Sequence, residues 1–401
     1  MATKNTKSHE REEEALLDLR EEDDLLDLLW FFVSFRVFCG HYFFASLTRR
    51  LTPPVRRVGY QCITYPPSRL IVCPVICMSV MPESLPRVLA DLPLGATVTE
   101  LLAGRVELLP WDPADGAEAG RVEAVYTYGH PRVDAAMLDR LPAVRVISNF
   151  GVGVDHIDVA AAAARGIPVG NTPGILDGAT ADLAFALLLA AGRRLVVGDR
   201  YARGPDFLRY DPSYMLGREV HGATLGVIGL GRIGEQVARR ARGFDMTVLY
   251  HNRRRRPEVE ADLGVRYAGR DELLAASDYV VLTVPLTAET TRLIGQAELA
   301  RMKPTATLVN ISRGPVVDTD ALTEALAARR IYAAALDVTD PEPLPRDHPL
   351  LRLDNVIVTP HLGSATEQTR RRMAEVSVEN LFAGLAGRPL PFLVVPLGES
   401  K

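Results

Sequence analysis

The sequence predicts an α/β protein made of two doubly wound parallel-sheet domains with a cleft between them. Three observations lead there. From Met81 onward, short β-branched runs alternate with alanine- and arginine-rich segments of helical spacing. That alternation stops at a long apolar helical stretch and a turn-rich segment, then restarts. A glycine-rich turn joins the first strand of the second series to its first helix.

Composition sets the limits. The chain has 401 residues, enough for two or three domains, with 47% hydrophobic residues, 24% charged residues and a formal charge of -4. Such a near-neutral balance argues against a nucleic-acid partner, which calls for a basic excess. The cysteines, Cys39, Cys62, Cys73 and Cys77, all fall near the N-terminus. No disulfide framework or cysteine metal site is expected after them, and Cys73 and Cys77 lack the second close pair that zinc needs.

Residues 1–80 read as an atypical N-terminal extension. An acidic stretch, "EREEEALLDLREEDDLLDL", leads into "LLWFFVSFRVFCGHYFFASL" at 28–47, which is long enough to span a membrane. Arg36 and His41 argue against a span, since a mid-span arginine costs roughly 2.5 to 3.5 kcal/mol on insertion scales, but the segment leaves a membrane anchor open. Its acidic start and long apolar part do not fit a signal peptide. A cytoplasmic protein is expected.

In the first series, "RVLADL", "RVELLPW", "EAVYTYG", "VRVISNFG" and "IPVGNTP" read as strands, with "PLGATVTELLAG", "VDAAMLDRL" and "HIDVAAAAARG" as helices. "TADLAFALLLAAGRRL" reads as one long helix, followed by turns around Gly204 to Ser213. In the second series "ATLGVIGLG", "MTVLYH", "DYVVLTVP", "ATLVNIS", "IYAAALDV" and "NVIVTPH" read as strands. The last helix, "ATEQTRRRMAEVSVENLFAGL", has no sheet of its own and is expected to return to the first domain. The expected boundaries are 81–177 plus 362–401 for one domain and 178–361 for the other.

"GVIGLGRIG" places Gly229, Gly231 and Gly234 as G-x-G-x-x-G between a strand and a helix, the Rossmann-like context that gives this otherwise weak pattern meaning. Gly229 permits the turn, Gly231 lets the backbone approach a pyrophosphate, and Gly234 lets helix pack on strand. A dinucleotide cofactor follows. For NAD the next strand should end in a carboxylate that binds the ribose 2'-hydroxyl. It ends instead in Asn252, followed by Arg253, Arg254, Arg255 and Arg256. Guanidinium groups suit a 2'-phosphate, so NADPH (NADP+) is expected to bind better than NADH, with Arg253 the first candidate and Arg255 the next.

Three ionisable residues follow predicted strand ends of the second series: Arg313 in "NISRGP", Glu342 in "LDVTDPEPLP" and His361 in "VTPHLGSAT". Reducing a 2-keto acid needs a cation near the carboxylate and ketone, a proton donor for the developing alkoxide, and an acid to hold that donor. Arginine, histidine and glutamate can fill those roles.

At these residues, and in "GVGVDHID", "GNTPGILDGATADLAFALLLAAGRR" and "LDVTDPEPLPRDHPLLRLDNVIVTPHLGSAT", the chain from about Met81 resembles the D-isomer-specific 2-hydroxyacid dehydrogenase family. Within it the chain is most similar to the glyoxylate/hydroxypyruvate reductases. The resemblance implies that Arg313 binds substrate, that His361 is the general acid, and that Glu342 holds its imidazole and favours its charged form. It implies that the backbone amides of Val152 and Gly153 hold the substrate carboxylate, with Tyr128, Gly129 and His130 facing the same pocket. Asp337 would bind the nicotinamide amide near Ile311, while Thr180, Arg232, Ile233, Pro285, Thr290 and Gly363 line the rest of the cofactor groove. His156 is expected to cap or pack the helix after it.

The implied reaction is NADPH-dependent reduction of a small 2-keto acid, glyoxylate or hydroxypyruvate, to the D-2-hydroxy acid, in a homodimer. Tryptophans common in those reductases before the glycine-loop strand are replaced here by Phe207, Tyr210 and Tyr214, so 2-ketogluconate or an aryl pyruvate is the alternative substrate. A second alternative is an NAD(H)-gated binding protein of the corepressor type, which shares the fold and the Arg, Glu and His set. About 40 residues follow His361, so no regulatory domain is expected there.

Overall fold

The computed structural model describes residues 84–91, 93–111 and 116–395. The extension at 1–80, including the apolar segment 28–47 and the cysteines, lies outside the described residues. Among the described residues no helix is long and apolar enough to cross a membrane.

Two parallel sheets carry the architecture. The first contains β1 (Arg87–Ala90), β2 (Glu107–Pro110), β3 (Ala124–Thr127), β4 (Val146–Asn149) and β5 (Val169–Gly170), in the order β2-β1-β3-β4-β5. The second contains β6 (Thr224–Ile228), β7 (Thr247–His251), β8 (Arg266–Tyr267), β9 (Tyr279–Leu282), β10 (Thr307–Asn310), β11 (Ala333–Leu336) and β12 (Val356–Val358). Their order is β12-β11-β10-β9-β6-β7-β8. Every residue of β9, β10 and β11 is buried. Helices cover both faces of such a sheet, which is why these strands read as mostly apolar runs instead of alternating ones.

All pairings between these strands are parallel, and the order of strands reverses once in each sheet, between β1 and β3 in the first and between β6 and β9 in the second. Connections leave toward opposite faces at such a point, opening a crevice beyond the carboxyl ends of the strands.

Two helices tie each sheet to a distant part of the chain. Asp177–Gly192 packs against Arg232–Ala241 and against β10 and β11. Glu367–Leu385 follows β12 in sequence yet packs on β3, β4 and β5. It is anchored there by polar contacts within the apolar interface: the Tyr126 and Ser377 hydroxyls lie 2.7 Å apart, and Ser148 donates to the Ser377 carbonyl at 2.6 Å.

Two elements differ from the sequence reading. The long helix ends at Gly192, whose carbonyl accepts from the Arg218 amide at 2.7 Å. Arg194 then turns the chain with φ +53° and a separate helix, Leu195–Arg203, begins. The edge strand β8 was not expected, because two residues are too few to show a period.

Candidate active site

A cavity of about 340 Å³ lies between the carboxyl ends of the two sheets. Its wall carries Tyr128, Gly129, His130, Val152 and Gly153 from loops of the first sheet. Facing them are Thr180, Ile233, Ile311, Arg313, Asp337, Glu342, His361 and Gly363. Residues separated by more than 230 positions in sequence thus meet in one crevice.

His361 follows β12 with φ +55°, in the left-handed region. Its Nδ1 lies 2.8 Å from Glu342 Oε1, which fixes Nδ1 as the protonated nitrogen of the neutral ring and leaves Nε2 for other work. Burial raises the cost of charge on Glu342, but the hydrogen bond and field of His361 outweigh it and hold the carboxyl below its ordinary range. Asp337 anchors the loop that presents His361. Its Oδ1 accepts from Thr359 Oγ1 at 2.6 Å and from the Leu362 amide at 2.7 Å, and its Oδ2 accepts from the Gly363 amide at 2.8 Å. A carboxylate offers about four acceptor sites, so one remains for a further donor.

Arg313 follows β10 and crosses the crevice, its Nε donating to Asp155 Oδ1 at 2.9 Å. Burial opposes charge on Asp155, yet Arg313 holds that carboxyl below its usual range. The guanidinium rests on Gly153, where an added Cβ would lie only 1.7 Å from an Arg313 nitrogen. The loop beneath is fastened through its carbonyls: Asn171 Nδ2 donates to Val152 O and Asn149 Nδ2 to Gly153 O, both at 2.9 Å. The amides of Val152 and Gly153 donate to no acceptor among the described residues. Two adjacent unpaired N–H groups beside a guanidinium make a binding position for an anion.

The Tyr128–Gly129 turn is held by Asp91, which accepts from the two amides at 2.6 and 2.5 Å. His130 comes next with φ +64°. Its ring stacks with that of His361 at 5.5 Å between centroids, and it meets the His156 ring in a T-shaped contact at 5.0 Å. His156 is therefore not a helix cap. The helix Val159–Ala164 is capped by Asp158, whose side chain accepts from the Ala161 amide at 2.8 Å.

The other predicted residues lie beyond β6, β7 and β9 and fit a dinucleotide. Gly229 has φ +103°, and a Cβ on it would meet the Thr283–Val284 backbone at 2.8 Å. Gly231 has nothing within 4 Å of its Cβ position, and a Cβ on Gly234 would lie 2.3 Å from the Gly229 carbonyl. The turn is thus tight, open on its outer side and pressed against its helix, Arg232–Ala241, as a pyrophosphate site needs. Arg232 pairs with Asp177 at 2.9 Å. Thr290 donates to the Pro285 carbonyl at 2.7 Å, fixing the shape of that loop.

The residues after β7 divide in two. Asn252 braces the glycine turn, its Oδ1 accepting from the Leu230 amide at 2.6 Å. Arg255 is held by Glu260 through two bonds of 2.7 Å, and Glu260, drawn down to about 2 by Arg255 and Tyr250, stays charged to hold it. Arg256 pairs with Glu235 and Glu258. Arg253 and Arg254 are exposed and, among the described residues, make no hydrogen bond or ion pair, although Arg253 lies in the field of the Glu289 carboxylate.

The sequence reading missed Arg370, Asp155 and Asp91. Arg370 lines the cavity half-buried, over the Phe150 ring at 5.7 Å; among the described residues it makes no ion pair, though it lies in the field of Asp337. Burial lowers its pKa. Its only sequence signal is the run Arg370–Arg372, in which helical packing turns a single member inward. Asp155 sits inside the quoted "GVGVDHID", but nothing there reveals that it meets Arg313.

A glycine turn at the switch point of a parallel sheet, opening beside a histidine-carboxylate pair, is the arrangement of a nicotinamide-dependent dehydrogenase, and known proteins agree. Residues 185–363 match the family described as D-isomer specific 2-hydroxyacid dehydrogenase, NAD binding domain. The chain is 51% identical over 263 residues to the glyoxylate reductase of Korarchaeum cryptofilum, covering 65% of this chain and 79% of that one. It is 42% identical over 320 residues to the glyoxylate reductase of Aeropyrum pernix, covering 77% and 96%. The crystal structure of the NADPH-dependent glyoxylate/hydroxypyruvate reductase from Sinorhizobium meliloti, in complex with NADP and malonate, is similar with a TM-score of 0.71 and 33% identity. That likeness covers 78% of this chain and 97% of the other. The protein belongs to the D-isomer-specific 2-hydroxyacid dehydrogenases and is an NAD(P)-dependent oxidoreductase.

Proposed function

We propose that this dehydrogenase reduces a small 2-keto acid, glyoxylate or hydroxypyruvate, to the D-2-hydroxy acid and prefers NADPH. The observation that carries this reading is the pair of unpartnered amides at Val152 and Gly153, lying against Arg313 in the cavity that also holds the Glu342–His361 pair. Donors for a carboxylate thus stand beside a donor for a developing alkoxide.

The nicotinamide, when bound, supplies the hydride that reduces C2. Arg313 and the two amides bind the carboxylate and orient the ketone. Glu342 fixes the His361 ring through Nδ1, and His361 gives the carbonyl oxygen a proton from Nε2. Arg370 adds a further positive charge to the cavity wall, which favours entry of an anion. The cavity volume, about 340 Å³, lies at the lower end for ligand sites and must take the nicotinamide as well, which favours a two- or three-carbon acid over a sugar acid.

For the cofactor, Arg253 is the residue proposed to meet a 2'-phosphate, because Arg255 and Arg256 are already occupied by carboxylates. The names of the relatives support glyoxylate, and that of the Sinorhizobium meliloti protein supports NADPH. A homodimer belongs to the same reading, and no nucleic-acid partner does. Phe207, Leu208, Tyr210, Tyr214 and Leu216 expose apolar surface along one segment, with Leu208 87% exposed.

The test is steady-state turnover of glyoxylate, hydroxypyruvate, phenylpyruvate and 2-ketogluconate by the full chain and by His361→Ala. One of the two small acids should show the highest kcat/KM, and His361→Ala should lower kcat by about 10²- to 10⁴-fold. A preference for either larger acid would replace the substrate assignment, and near-normal turnover by His361→Ala would remove it as the acid.

A further inference from the structure

We propose that His130 is a positioning residue for the reaction: it reaches across the crevice, stacks on His361, and fixes the plane of the acid's ring, with His156 packed against it. This adds to the pocket-facing place expected for His130 from sequence, and it rests on the reading of His361 as proton donor.

The geometry begins with what Glu342 leaves unfixed. One hydrogen bond at Nδ1 restrains the His361 ring at a single edge, and the second side-chain torsion of histidine is broad. A planar group against the ring face removes the remaining swing. His130 supplies it, with ring centroids 5.5 Å apart and planes inclined by 25°. His156 then meets His130 at 73°, edge to face, an arrangement aromatic pairs favour.

His130 is itself rigidly presented. The turn before it is clamped through two amides on Asp91, Pro131 follows it, and φ +64° is a conformation histidine tolerates better than most residues. His130 and His156 belong to loops of the first sheet, while His361 follows a strand of the second. The stack therefore crosses between the two walls, as does the Arg313–Asp155 ion pair.

The charge pattern suits this role. Burial, then Arg313 and His361, hold the His130 pKa down to about 4 against the opposing pull of Asp155 and Glu342. Burial and His130 do the same for His156, again to about 4, with Arg313 adding to the effect and Asp155 opposing it. Both rings are neutral at neutral pH, so His130 presents a ring face to a protonated His361, where a second cation would repel it.

Two variants of the full-length protein separate positioning from substrate contact. His130→Asn tolerates positive φ and keeps a polar side chain, but has no ring. His130→Phe keeps a ring and loses the polar atoms. Misalignment of a reacting group costs up to about 100-fold, so His130→Asn should lower kcat for glyoxylate by about 10- to 100-fold with little change in KM, while His130→Phe recovers most of that loss. Nicotinamide cofactor affinity is measured alongside to confirm that each variant folds. NMR of the His361 ring protons in the holoenzyme gives an independent readout. An upfield ring-current shift should be present in the wild type and His130→Phe and absent in His130→Asn.

The proposal is overturned if Phe is no better than Asn, if the loss falls on KM, or if the ring-current shift is the same in all three. A wild type that turns over glyoxylate while the variants misbehave rejects only the positioning role. A wild type without turnover of any 2-keto acid rejects the acid assignment and the positioning role with it.

Discussion

Glu342 gives the two nitrogens of His361 different surroundings: its negatively charged carboxylate occupies Nδ1 at 2.8 Å and leaves Nε2 for the proposed proton transfer. Glu342→Gln removes that charge. Turnover of glyoxylate should then fall by about 10²-fold, because Nδ1 loses its anionic acceptor; near-normal kcat in steady-state rates would show that the charge of Glu342 is not used. Arg313, Glu342 and His361 were legible in the sequence because each follows a strand at its carboxyl end, and such ends converge in a parallel sheet. Arg370 was not, since its inward direction depends on how the helix Glu367–Leu385 seats on β3 and β4. The exposed run after β7 was legible as charge, but its division between Glu-paired Arg255 and Arg256 and unpaired Arg253 depends on the fold around Glu260 and Glu235.

At the level of elements, the site depends on two long helices that return to sheets distant in sequence. Glu367–Leu385 approaches β4 so closely that a Cβ on Gly384 would lie 2.4 Å from the Val146 Cβ. Gly384→Ala should destabilise the fold by about 1 to 3 kcal/mol and lower Tm by a few degrees, as overpacking of a close contact does. An unchanged Tm in differential scanning calorimetry would show that the helix can shift without cost. The central strands were legible because burial on both faces leaves only apolar choices. The break at Arg194 was not, because Asp177–Gly192 stops where the Gly192 carbonyl meets Arg218, a partner 26 positions away. The pairing of β8 with β7 was hidden for a related reason: register across so short a strand is set by its neighbour.

At the scale of the molecule, the two sheets meet through the Arg313–Asp155 ion pair, stacked histidine rings and an anion position drawn from both walls. The exposed apolar stretch Leu195–Leu216 belongs to this scale too. Leu208→Asp should convert a dimer to monomers in sedimentation velocity, and a wild type that sediments as a monomer would remove the dimer. NADPH-dependent reduction of a small 2-keto acid is tested by initial rates of glyoxylate reduction with NADPH and with NADH, for the full chain and for Arg253→Ala. A higher kcat/KM with NADPH is expected in the wild type, and in Arg253→Ala a loss of about tenfold, ~1.4 kcal/mol, confined to NADPH. Equal rates with the two cofactors, or an equal loss for both in the variant, would contradict it.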